Sequence, residues 1–112
     1  MRKPIPCDVC GADLARNGRG FVRWWERRSP EGGEAYVAAF DVICAGACSA
    51  RNRAQRAGEI GGSTGQRDMQ LDRITGERAL TELVRLLRAY RWTDRDALER
   101  CLNVFERAAG AS

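Results

Sequence analysis

Four cysteines in two close pairs, Cys7-Asp8-Val9-Cys10-Gly11 and Cys44-Ala45-Gly46-Ala47-Cys48, restrict what this chain can fold into more than any other feature. A C-x2-C pair lets two thiolates reach one ion from a single tight turn, and a closed structural zinc site takes four such ligands tetrahedrally. Gly11 suits the turn, because it adopts positive φ at little cost and lets backbone amides approach the sulfurs. The C-x3-C pair is looser and fits one ligand just before a helix and another at its start. The expectation is one Zn2+ held by Cys7, Cys10, Cys44 and Cys48.

The cysteines could instead build disulfides. The opening run Met-Arg-Lys-Pro-Ile-Pro-Cys has no apolar stretch of the kind that directs export, so metal-bound thiols in a reducing cytoplasm are expected. A chain of 112 residues makes one domain, or a small module with an appendage. Its first sixty residues hold few apolar runs, and a piece of that size needs a staple such as a metal. No run is long enough to span a membrane.

The formal charge is +4 and most of the excess lies in residues 1–62. An acidic partner fits this charge. Lys3 is the lone lysine, and the arginine bias is explained as readily by genome composition as by phosphate binding.

Along the chain, Ala12 to Gly20 reads as a loop. Gly20 to Arg28 is aromatic and β-branched, Ser29 to Glu34 carries turn chemistry, and Ala35 to Ile43 reads as a returning strand. Trp24 and Trp25 must point to opposite faces of such a hairpin, so one of them is left for a partner or for later helices. Ser49 to Ala57 forms a helix that Gly58 should end. Its narrow stripe of Ala50, Ala54 and Ala57 should face the hairpin, with Arg51, Arg53 and Arg56 around the rest. These arginines would also offset the charge of about −2 on a four-thiolate zinc site.

The order knuckle, hairpin, then a helix whose first turn returns to the metal resembles a treble-clef zinc finger. The resemblance covers residues 5–58 and rests on Cys7, Cys10, Gly11, Cys44 and Cys48. It implies a fold and a structural metal, and no activity, because such modules serve many functions. The C-x3-C spacing departs from the commoner C-x2-C, so a zinc-ribbon or rubredoxin-like arrangement, the latter with iron, stands beside it.

The expected architecture is α+β: a zinc module over 1–60, a glycine-rich linker over 61–75, and a helical hairpin over 76–110. Within the linker, Asp68 to Ile74, with Met69, Leu71 and Ile74, reads either as an extended segment crossing the hairpin or as a short helix. Within the last part, Leu80, Leu83, Val84 and Leu87 repeat at helical spacing, widened by Ala79, Leu86 and Tyr90. Thr93 and Asp96 suggest a capping box for a final helix whose face is Leu98, Cys101, Leu102 and Phe105, closed by Gly110. Cys101 belongs to that core face. The last helix carries more acid than base, which argues against a DNA-reading helix-turn-helix.

With no histidine, no phosphate loop and no nucleophile beside a base, an enzyme is not expected, nor a small-molecule substrate. Two functions remain. One is nucleic-acid or nucleoprotein binding, or regulation, through Arg23, Trp24, Trp25, Arg27, Arg28, Arg51, Arg53 and Arg56. The other is a protein adaptor or homo-oligomer that docks through the leucine-rich helices, with zinc purely structural.

Overall fold

The structure is a computed structural model that describes residues 3–17, 19–28, 31–60 and 65–110. Asp13 shapes the entry to it. Its Oδ1 accepts from the amides of Ile5 and Ala15, both at 3.0 Å, and folds Leu14–Asn17 into a one-turn helix, α1, where a loop was expected. Leu14 is fully buried. Gly20 makes room for it, since a Cβ there would stand 2.6 Å from the Leu14 Cδ1.

The hairpin is β1 (Gly20–Arg27) and β2 (Tyr36–Cys44), paired antiparallel from Gly20 opposite Cys44 to Arg27 opposite Tyr36. A bulge falls between Trp25 and Glu26, which pair with Ala39 and Val37 and leave Ala38 as the extra residue. The insertion turns Val37 onto the same face as Phe40 and Val42, where it is fully buried. From Cys44 the chain enters α2 (Ala47–Ile60) and returns as β3 (Gly65–Gln70), antiparallel to the other side of β1. The strand order is β2-β1-β3, so β1 is central.

Two expectations fail here. Residues 61–64 of the expected linker lie outside the described residues, and the rest is not a linker: Gly65–Gln70 is a strand and Leu71–Ile74 a 3-10 turn with both end residues buried, so the extended and the helical readings of 68–74 each hold for part of it. The hairpin leaves one edge of β1 unpaired, and this polar segment fills it. Nor does Gly58 end its helix, which runs on to Ile60. Glycine in an exposed helical position costs only about 1 kcal/mol. The bonds that Gln55 and Arg56 make to Glu59 support the last turn.

On one face of the sheet pack α3 (Arg78–Ala89) and α4 (Arg95–Ala109). Gly76 just before α3 donates to the carbonyl of Ala108 near the end of α4, at 3.0 Å, so the two helices run antiparallel. The cap of α4 is Asp94, whose side chain accepts from the amide of Ala97 at 2.9 Å; the expected Thr93 box is not the cap. The core gathers Val22, Trp24, Phe40, Val42, Leu71 and Ile74 of the sheet side against Leu86, Ala97, Cys101, Val104, Phe105 and Ala108. Leu80, Val84, Leu87 and Leu102, expected on that inner face, are exposed instead. The sheet side of α3 is filled by Ala79, Leu83, Leu86 and Tyr90, about 100° round the helix from that stripe. The link between these helices also serves the sheet: Arg91 accepts from Val37 and donates to Ala35, covering the outer edge of β2.

Candidate metal centre

The two cysteine pairs meet at the end of the hairpin where Gly20 and Cys44 lie opposite each other. Cys7 and Cys10 come from the first knuckle, Cys44 ends β2, and Cys48 lies in the first turn of α2. Both turns contain a glycine with positive φ, Gly11 at 80° and Gly46 at 83°, so the backbone reverses without strain. The knuckle is fixed to β2 by Asp8, whose amide donates to the Val42 carbonyl at 2.8 Å and whose Oδ2 accepts from the Val42 amide at 2.7 Å.

All four sulfurs lie within 4.8 Å of one another, and those of Cys10 and Cys44 are 3.6 Å apart. Tetrahedral coordination with metal–sulfur bonds of about 2.3 Å requires sulfurs about 3.8 Å apart. The spacing fits one shared ion and is far too long for a disulfide, and all five cysteines are free thiols. The Cys7 Sγ accepts from the amides of Val9, Cys44 and Cys10 at 3.3, 3.4 and 3.5 Å. Burial pushes the Cys7 thiol up, but these donors outweigh burial and bring it to about 7. At Cys44 burial, and after it the neighbouring thiols, push the value up to about 12. Crowded sulfurs cannot all ionise without a cation among them. Cys101 stands apart, fully buried in the helical core, its thiol pushed up to about 12 by desolvation.

Beside this centre, on the sheet face opposite α3 and α4, lies a polar layer that residue patterning did not announce. Arg23 is 1 % exposed. It lies between Phe21 and Trp25, its guanidinium 5.1 and 6.0 Å from their ring centres. Arginine has five N–H donors, and every one is used here. Nε and Nη2 bind the Asp68 carboxylate at 2.8 and 3.3 Å, Nη1 binds the Ser49 carbonyl and Asn52 Oδ1, and Nη2 also binds Ser49 Oγ. Asn52 then donates to Asp41, which also receives the fork of Arg56 at 2.8 and 2.6 Å. Burial pushes the Asp41 carboxyl up, yet the hydrogen bonds from Arg56 and Asn52 overcome it and hold the carboxyl below its ordinary range.

This layer corrects the expected binding surface. Arg23, Trp24 and Trp25 are buried, because β1 is central and covered on both faces; neither tryptophan is left for a partner. Arg56 is committed to Asp41 and Glu59. The inner stripe of α2 is Ser49, Asn52 and Arg56, whereas Ala50, Ala54 and Ala57 face outward, since the strands present Arg23 and Asp41 and the helix has to answer with polar groups. At 100° per residue, Arg51 and Arg53 stand on opposite flanks of α2. Arg53 bonds Gln66 there. Arg27 and Arg28 lie at the far end of β1, about 20 Å from the cysteines at strand spacing. The predicted eight-residue surface is therefore not brought together. The clue in the sequence was a charge within each apolar strand, Arg23 among aromatics and Asp41 between Phe40 and Val42.

Comparison with protein-family models, with curated proteins and with solved structures finds no match to this chain. Among the described residues no helix is long and apolar enough to cross a membrane.

Proposed function

We propose that Cys7, Cys10, Cys44 and Cys48 hold one zinc ion in a closed structural site, and that the protein is a non-enzymatic binding module built around it. The observation that carries this is the mutual approach of four sulfurs within 4.8 Å, from two turns 34 residues or more apart in the chain. Four thiolates fill a tetrahedral ion and leave no open position for a substrate, which supports a structural metal over a catalytic one. The order of knuckle, hairpin and helix bearing the last ligand supports a treble-clef-like module, here enlarged by β3 and two helices. Metal analysis of the purified protein tests this: one zinc per chain and a colourless solution are expected. A red ferric spectrum replaces zinc by iron, and a metal-free protein with a Cys10–Cys44 disulfide refutes the site.

A nucleic acid or nucleoprotein partner is the second reading, and one observation favours it. Arg28, Arg51 and Arg53 are exposed and, among the described residues, form no ion pair, in the half of the chain that holds most of the net positive charge. Binding would be to phosphates, without the tryptophan stacking the sequence suggested. Fluorescence anisotropy with single- and double-stranded oligonucleotides should give an affinity that falls with salt, with a logarithmic slope of about −0.7 to −0.9 per phosphate contacted. An Arg51→Glu, Arg53→Glu variant should lose that slope. Failure to bind either polymer at low salt removes this reading and leaves the metal site intact.

A further inference from the structure

The four clustered thiols differ in what can reach them. Cys10 is exposed, Cys44 and Cys48 are half-buried, and Cys7 is 3 % exposed. The Cys7 Sγ is also covered by three amide donors, from Val9, Cys10 and Cys44, which occupy its lone pairs. Thiol oxidation follows thiolate character and access, so an oxidant arriving from solvent meets the Cys10 sulfur first. Coordination to zinc supplies the thiolate. A second sulfur stands within reach, because the Cys44 Sγ lies 3.6 Å from that of Cys10.

The two segments that carry this pair are locked together without any ion. Asp8 donates to the Val42 carbonyl and accepts from the Val42 amide, two positions before Cys44. The sulfurs have to close by only about 1.5 Å to reach bonding length, and the backbone frame around them can stay. Cys48 is placed differently, since it rides on α2.

We propose that this cluster is a redox switch in which hydrogen peroxide joins Cys10 to Cys44 in a disulfide and releases both the ion and the first turn of α2. The switch rests on the zinc reading of the site. The Cys10 thiolate attacks one peroxide oxygen and becomes a sulfenic acid, while the other oxygen leaves as hydroxide. The Cys44 thiolate then displaces a second hydroxide from the Cys10 sulfur; the S–S bond forms, and two electrons have passed from the sulfurs to the peroxide. Cys7 and Cys48 alone do not complete a tetrahedral site. The loss is selective. The knuckle stays on β2 through the new bridge and Asp8, whereas α2 gives up its tie at Cys48. The switch acts on the helix that bears Arg51 and Arg53, and it stands whether or not these bind phosphate.

Hydrogen peroxide added to the reduced, metal-loaded chain tests it. Elemental analysis after gel filtration should show about one zinc lost for every two thiols consumed. Peptide mapping should find Cys10 joined to Cys44, with Cys101, fully buried in the helical core, still reduced. Hydrogen exchange should rise over 47–60 and hold over 20–44, and a dithiol reductant with added zinc should restore metal and protection. Zinc that stays bound at peroxide levels that oxidise a free thiol overturns the switch and leaves the metal site standing. So does a bridge from Cys10 to Cys7 or to Cys48, or protection lost equally over 20–44. Purification under reductant keeps the two readings apart: a reduced chain without metal refutes the site and the switch together.

Discussion

The two faces of the sheet solve the same packing problem with opposite chemistry. Against α3 and α4 the strands present Val22, Trp24, Phe40 and Val42, and burial of apolar surface supplies the stability. Against α2 they present Arg23 and Asp41, and the helix answers with Ser49, Asn52 and Arg56. The apolar face tolerates substitution by anything of similar volume. The polar face tolerates almost none, because each partner removed leaves a buried charge or donor unsatisfied. A polar layer of this kind is weak evidence for stability, since a complete apolar replacement of buried ion pairs is often neutral. Its effect is to fix where α2 sits, and with it where Cys48 meets the other sulfurs.

The largest test of this contrast is metal removal. If the four thiols hold an ion, chelation, or Cys48→Ser, should collapse the α2 face first, because that ion would join the knuckle, β2 and α2; zinc sites in small modules carry most of their folding energy. Hydrogen exchange should show protection lost over 47–60 before it is lost over 95–109. Simultaneous loss would mean that the two faces do not differ in their dependence on the ion. Next in size are single changes on either face. Phe105→Ala should cost about 3–5 kcal/mol by cavity formation. Arg23→Met keeps the volume but leaves Asn52 Oδ1 and the Ser49 carbonyl without their donor, while the exposed Asp68 falls back on water and Gln66, so about 1–3 kcal/mol should be lost in urea unfolding. The two are distinguished by a second change: Asp68→Leu should add less than its own cost to Arg23→Met, whereas it should add in full to Phe105→Ala.

A smaller effect comes from Asp41. Its carboxyl is held low in the folded state, so the stability it adds is present above the unfolded value near 3.8 and is lost as pH falls through the folded one. Asp41→Asn should therefore cost about 1.5–3 kcal/mol at neutral pH, the scale of a hydrogen bond to a charged group. That gap should stay constant between pH 7 and about 5 and close only below about 4. A gap that closes near neutrality would assign the effect to another group. The smallest prediction has the opposite sign. Gly58 lies inside α2 with open space where a Cβ would stand, so Gly58→Ala should stabilise the protein by about 1 kcal/mol, read as a higher unfolding midpoint.

Much of this could be read from the residues. The cysteine spacing pointed to sulfurs that do converge, the aromatic run and turn residues to a hairpin, and the leucine periodicity to two helices. Sequence pattern misjudged the charged residues. A buried arginine such as Arg23 is written with the same letter as an exposed one, and only its place on a central strand, set by β3, takes it out of solvent. β3 itself was only partly legible, its end read as either extended or helical, because Gly-Gln-Arg-Asp-Met-Gln has little apolar content; it is stabilised by backbone pairing and by Asp68 rather than by a buried side chain row. The exposed stripe of α3 misled for the converse reason. Periodicity finds an apolar arc but cannot say which part of a wide arc meets the chain's own core.

The route from β2 through α2 to β3 passes over β1, so the two outer strands run the same way with a neighbour of opposite sense between them. Arg23 and Asp68, which join the centre to the last strand, are 45 positions apart. Contacts so distant along the chain are slow to find. A cation held by the four thiols would grip both the knuckle and the outset of that overpass and so would shorten the search, acting on the order of assembly as well as on its endpoint.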